Sequence, residues 1–196
     1  MGNRTSAAAS ISGLMGPLHF GNFAGVLSKS VWVGLGTAMC FVILSGMRLW
    51  VRRREEEPLW QGFGRAVTVV AYGLPLAMLG AAHAFFLALP AGDPFWWTPA
   101  GFVIAAAACI GFGAVAAEPR LTLVLQRTLA GGCLALPVLR MVSGGTSWAA
   151  ALARGNGAVL SVDLLLIAVG ALLPWMVRER AGERGRPRQP TAEPAE

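Results

Sequence analysis

Five long apolar stretches alternate with short polar connections along the chain, and that pattern predicts an all-α membrane protein: a bundle of about five transmembrane helices. The stretches cover residues 30–51, 66–89, 98–117, 121–142 and 158–177. About 20 apolar residues suffice to cross the hydrocarbon core of a bilayer as a helix. Trp32 and Trp50 stand near the ends of the first stretch, where amphipathic rings prefer the membrane interface. The third stretch is rich in alanine and glycine, which predicts close helix packing. The fourth is interrupted by Gln126, Arg127 and Arg140, but both arginines lie near its ends, within snorkelling reach of the interface.

The polar positions supply an orientation. Arg52, Arg53 and Arg54 follow the first stretch directly, and the acids Glu55, Glu56 and Glu57 behind them carry little weight in topology. The connection Pro90 to Trp97 holds Asp93 but no lysine or arginine, while Glu118-Pro119-Arg120 reads as a tight turn. Arg52, Arg53, Arg54, Arg65, Arg120 and the tail arginines from Arg178 onward fall on one side, against Arg4, Lys29 and Arg154 on the other. The positive-inside rule then places the N-terminus outside and the C-terminus in the cytoplasm. Residues 1–29 become an external segment, and 143–157 a polar, glycine-rich external connection. Residues 178–196, rich in arginine and proline without apolar periodicity, are expected to be a disordered basic cytoplasmic tail. No cleaved signal is expected at the N-terminus, since Met1 to Ser12 holds only Arg4 as a charge and no apolar run follows.

Composition agrees with a membrane class. Of 196 residues 55% are hydrophobic and 13% charged, outside the balance of an ordinary soluble domain. The formal charge of +6 does not mark a nucleic-acid partner, because the arginines cluster beside apolar stretches instead of lining a polar face. The lipid bilayer is the partner this placement implies. Cys40, Cys109 and Cys133 all lie within apolar stretches without metal-ligand spacing, so neither a disulfide nor a zinc site is expected.

Chemistry-bearing residues are few. Of the two histidines, His19 lies in the glycine-rich external segment, and His83 lies within the second stretch, roughly 9 Å below its outer end at 1.5 Å per residue. An imidazole is the commonest axial ligand of haem iron, so each histidine has two readings: ligand, or for His83 a hydrogen bond to a neighbouring helix and for His19 a solvated or interfacial ring. Gly73, Ala77, Gly80, Ala81 and Ala84 fit either a haem-facing surface beside His83 or plain helix contacts, with Lys29, Arg140 and Arg154 as external cations. Arg140 and Asp163 lie at matching depths and are read as a structural ion pair, with a proton or ion pathway of a small transporter as the lesser alternative. Phosphoryl and hydrolytic chemistry are excluded by the lack of a phosphate loop, of a nucleophile with a base and of paired carboxylates.

The block PLHFGNFAGVLSKSVWVGLGTAMCFVILSGMRLWVRRR, Pro17 to Arg54, resembles the PepSY-associated transmembrane family. The matching positions are Leu18, His19, Gly21, Phe23, Gly25, Trp32, Gly36, Gly46, Trp50 and Arg52 to Arg54. The resemblance implies a bacterial inner-membrane protein and, because some members are haem-containing reductases of ferric siderophores, haem b as cofactor with His19 as an axial ligand. His83 joins His19 through its depth, not through the family motif. The family's usual upstream span and periplasmic PepSY domain do not precede the block, so the chain is expected to be the C-terminal membrane portion of a longer architecture. Two functions follow as expectations: a haem-binding electron-transfer module linked to ferric iron reduction, or a non-catalytic anchor for a PepSY-domain partner.

Overall fold

A computed structural model describes Gly13, Met15 and residues 25–54 and 56–184. Its elements are α1 (Gly25–Arg52), α2 (Pro58–Ala88), a single 3-10 turn (Leu89–Ala91), α3 (Pro94–Val115), α4 (Glu118–Val142), the short α5 (Trp148–Ala153) and α6 (Gly157–Arg184). Five of these helices, α1, α2, α3, α4 and α6, are long and apolar enough to cross a membrane. Helices suit that environment because every backbone N–H and C=O is satisfied within its own segment.

The chain divides into two compact units, residues 1–61 and 62–196. In the first unit, α1 is apolar on every side and its large side chains, Val33, Leu35, Phe41 and Val42 among them, are exposed. In the second unit, α2 and α3 run antiparallel and meet through small residues. Val69 lies against Gly113, Gly73 against Cys109 and Gly80 against Gly101. A Cβ on Gly80 would stand 2.7 Å from the Ala105 Cβ and 2.9 Å from the Gly101 carbonyl, so bare Cα atoms are what let the backbones approach. Residues 101, 105, 109 and 113 are Gly, Ala, Cys and Gly, one small residue per helical turn on one face. α4 contributes the centre of the unit: Leu121, Leu125, Leu129, Cys133 and Leu136 are buried together with Leu76, Leu79 and Cys109. α6 packs along α4, with Gly170 seated on Ala130 and Leu134.

Several boundaries depart from the hydropathy pattern for local reasons. α1 begins at Gly25, inside the segment read as external. α2 starts at Pro58, where a missing N–H is no loss and φ is already helical. Trp96 and Trp97, expected in a loop, lie in the first turn of α3, because the turn is completed by Leu89–Ala91 and by Gly92, whose φ of 84° disfavours a side chain. Glu118-Pro119-Arg120 is not a turn but the start of α4, an acid and a proline suiting a helix N-terminus; the bend itself is at Ala116 and Ala117. The connection 143–157 contains α5, with the Ser147 side chain capping its N-terminus. Residues 178–184, expected to be disordered, continue α6, since arginine, glutamate and alanine are good helix formers. Residues 185–196 lie outside the described part.

Candidate functional site

His83 lies in the last quarter of α2. Its Nδ1 lies 2.8 Å from the carbonyl oxygen of Leu79, one turn back. A carbonyl only accepts, so Nδ1 carries the proton and donates, and in the neutral ring the lone pair is then on Nε2. Among the described residues no fully buried side-chain nitrogen or oxygen lacks a partner, and no hydrogen bond engages His83 Nε2, so that atom has accessible surface. The hydrogen bond to its own helix fixes the orientation of the ring.

The ring borders a cavity of about 370 Å³ between α2, α3 and α4. Its walls are Leu76, Leu79 and Gly80 from α2, Ala105, Ala108, Cys109 and Phe112 from α3, and Val124, Leu125, Thr128 and Gly132 from α4. The volume falls in the usual range for small-molecule sites, and mostly apolar walls with few polar atoms are their usual lining. Gly132 matters locally, because a Cβ there would run into the Leu79 side chain and stand 3.8 Å from His83 Cε1. Glycine on α4 thus makes room for the Leu79 side chain beside the imidazole. Of the small residues named from the sequence, Gly73 and Gly80 are occupied as contacts with α3, and Gly80 also lines the cavity.

A second polar node joins α4, α5 and α6. Arg140 Nη2 donates to Asp163 Oδ2 at 2.6 Å and its Nε to Oδ1 at 3.4 Å, while Nη1 donates to the Thr146 carbonyl at 2.5 Å. Trp148 Nε1 donates to the same Oδ2 at 2.8 Å. Asp163 is 3% exposed, and the arginine head is spread over three acceptor atoms. The ion pair is therefore built into the fold, with both carboxylate oxygens taken.

His19 lies outside the described residues. Lys29 and Arg154 are exposed, and Arg140 is committed to Asp163. Among the described residues no group of three or more His, Cys, Asp or Glu side chains stands close enough to hold a metal ion. A haem asks less of the protein, one or two axial ligands and an apolar wall.

Sequence reasoning passed over four residues. Arg65 is not simply a charge at a helix end. Its Nη2 donates to the Gly113 carbonyl at 2.6 Å and the Ala116 carbonyl at 2.7 Å, closing the free carbonyls at the end of α3. Trp148 belongs to the Asp163 node, Cys109 to the cavity, and Gln126 donates to the Tyr72 hydroxyl at 2.9 Å. A lone polar residue inside an apolar run was the available signal for Gln126 and Tyr72. Nothing in the sequence pointed to Cys109.

Fold and composition together define a multi-pass helical membrane protein. Residues 1–53 match the PepSY-associated TM region, which supports membership of the PepSY-associated transmembrane family. No curated protein and no solved structure matches the chain.

Proposed function

We propose that this protein is a membrane electron-transfer module of the PepSY-associated type that holds haem b on His83 and serves the reduction of ferric iron or ferric siderophores outside the bacterial inner membrane. The observation that carries the reading is the His83 ring, fixed by Leu79 with an accessible Nε2 at the wall of an apolar cavity. The imidazole donor and the apolar walls of the cavity suit the group in chemistry. Haem supplies one-electron transfer when bound. His83 would be the axial ligand, the Leu79 carbonyl would hold its ring, and the leucine and phenylalanine walls would exclude water. His19, the ligand that the family resemblance implies, lies outside the described residues. The distribution of arginines supports an external N-terminus and a cytoplasmic C-terminus, which sets His83 toward the outer face.

The test is an absorbance spectrum of protein purified from haem-replete cells. Sharp reduced haem bands are expected, lost in His83→Ala and altered in His19→Ala; a colourless, well-folded preparation refutes the reading. A second reading, a non-catalytic subunit that assembles with a PepSY-domain protein, draws on the exposed apolar surface of α1. Its mark is a stoichiometric PepSY-domain partner in a preparation without pigment. The engagement of both Asp163 oxygens favours a structural role for that acid over ion transport.

A further inference from the structure

The end of α1 concentrates four arginines, and the first unit presents them in an ordered way. Arg48 and Arg52 are four residues apart, hence on one face and about 6 Å apart along the axis, and Arg53 is next to Arg52. All three are exposed. Glu56 and Glu57 are close in sequence, yet neither pairs with them; Arg140–Asp163 is the ion pair found among the described residues. Arg54 has a different position. Its guanidinium lies 4.7 Å from the Trp50 ring and 5.3 Å from the Trp60 ring, two indoles in edge-to-face contact at 4.5 Å.

Each feature has an ordinary explanation. Cations near a helix C-terminus complement its dipole, and arginines beside a span set topology. Neither accounts for Arg48, a full turn inside an apolar helix and in no ion pair with Glu56, Glu57 or any other acid among the described residues. A guanidinium is a planar, bidentate donor to phosphate, and the next residue, Leu49, is exposed. Charge at the helix end with apolar surface just below suits an amphiphilic anion. The tryptophans stand where such rings sit in a bilayer, at headgroup level.

We propose that Arg48 and Arg52 on one face of α1, with Arg53 just beyond its end and bordered by the Trp50–Arg54–Trp60 stack, bind the phosphate headgroup of an anionic phospholipid. The assignment is independent of the haem reading, since it involves neither histidine. It is tested on the delipidated full-length protein by native mass spectrometry during titration with dioleoyl-phosphatidylglycerol or dioleoyl-phosphatidylcholine. Retention of the anionic lipid over the zwitterionic one is expected. Each Arg→Gln change should weaken that retention about fivefold, and the triple change R48Q/R52Q/R53Q about 100-fold. The triple Arg→Lys variant should keep most of the preference, which separates lost charge from lost folding, and Arg154→Gln should leave it unchanged. Equal retention of the two lipids, an unaffected triple glutamine variant or an equal loss in Arg154→Gln overturns the proposal. Displacement by inorganic phosphate at the same concentration as phosphatidylglycerol also overturns it, by showing a site for the bare anion.

Discussion

Asp163 and His83 are both titratable side chains set among the apolar helices of residues 62–196, and they differ in how far their polar atoms are engaged. Asp163 gives both oxygens to Arg140 and Oδ2 to Trp148 as well, while Arg140 spends a further donor on Thr146. His83 uses one ring nitrogen on its own helix and keeps the other accessible beside about 370 Å³ of space. A polar group in a low-dielectric interior costs several kcal/mol unless it is paired, so saturation like that of Asp163 is what a structural role requires. An accessible lone pair next to a cavity is binding capacity that the fold does not use itself. Position in an apolar helix is common to both residues; the count of engaged atoms separates them.

The largest effect expected from this contrast is at the saturated node. Asp163→Ala leaves the Arg140 guanidinium uncompensated among α4, α5 and α6, and should destabilise the protein by about 3–5 kcal/mol. Denaturant unfolding in detergent measures it. The double change R140L/D163L should cost much less than the two single changes together, because it removes both charges at once. Additive losses would mean that the two side chains are not one structural unit.

The packing beneath the cavity gives the next effect. Gly80→Val places carbon atoms against Ala105 and the backbone of Gly101, neither of which can yield without moving a helix. A loss of roughly 1–3 kcal/mol is expected, read as a lower unfolding midpoint. His83→Leu, by contrast, removes one hydrogen bond within its own helix and should change stability by less than about 1 kcal/mol. The same variant should abolish any haem spectrum. A large stability loss in His83→Leu together with an unchanged spectrum would reverse the roles assigned to the two sites.

Much of this architecture was legible from apolar run length alone, because a helix that satisfies its own backbone groups needs no distant partner to be recognised. The ends were less so. α2 starts at Pro58, ahead of its apolar run, since Gln61 and Arg65 make its first turns read as a connection. α5 was hidden by its six residues, and with it the role of Trp148. Arg140 and Asp163 were paired from depth, a one-dimensional property shared by helices of similar length. The cavity at His83 was out of reach, because it depends on Gly132 facing Leu79 and on Cys109 and Ala105 crossing from α3. His19 rests on a family resemblance and lies outside the described residues.

The smallest effect tests the rule drawn from the two sites. Gln126 is buried and donates to the Tyr72 hydroxyl, joining α4 to α2 near the core leucines. If saturation marks a structural group, Tyr72→Phe should cost only about 0.6 kcal/mol, the mean for hydrogen bonds between membrane helices, where an alternative partner is often found. It should leave any haem spectrum unchanged. Gln126→Leu in the Tyr72→Phe background should recover part of that cost, because the amide left without its acceptor is then removed. A spectral shift in Tyr72→Phe would instead connect this pair to the cavity and show that counting engaged atoms at single residues is too local a criterion.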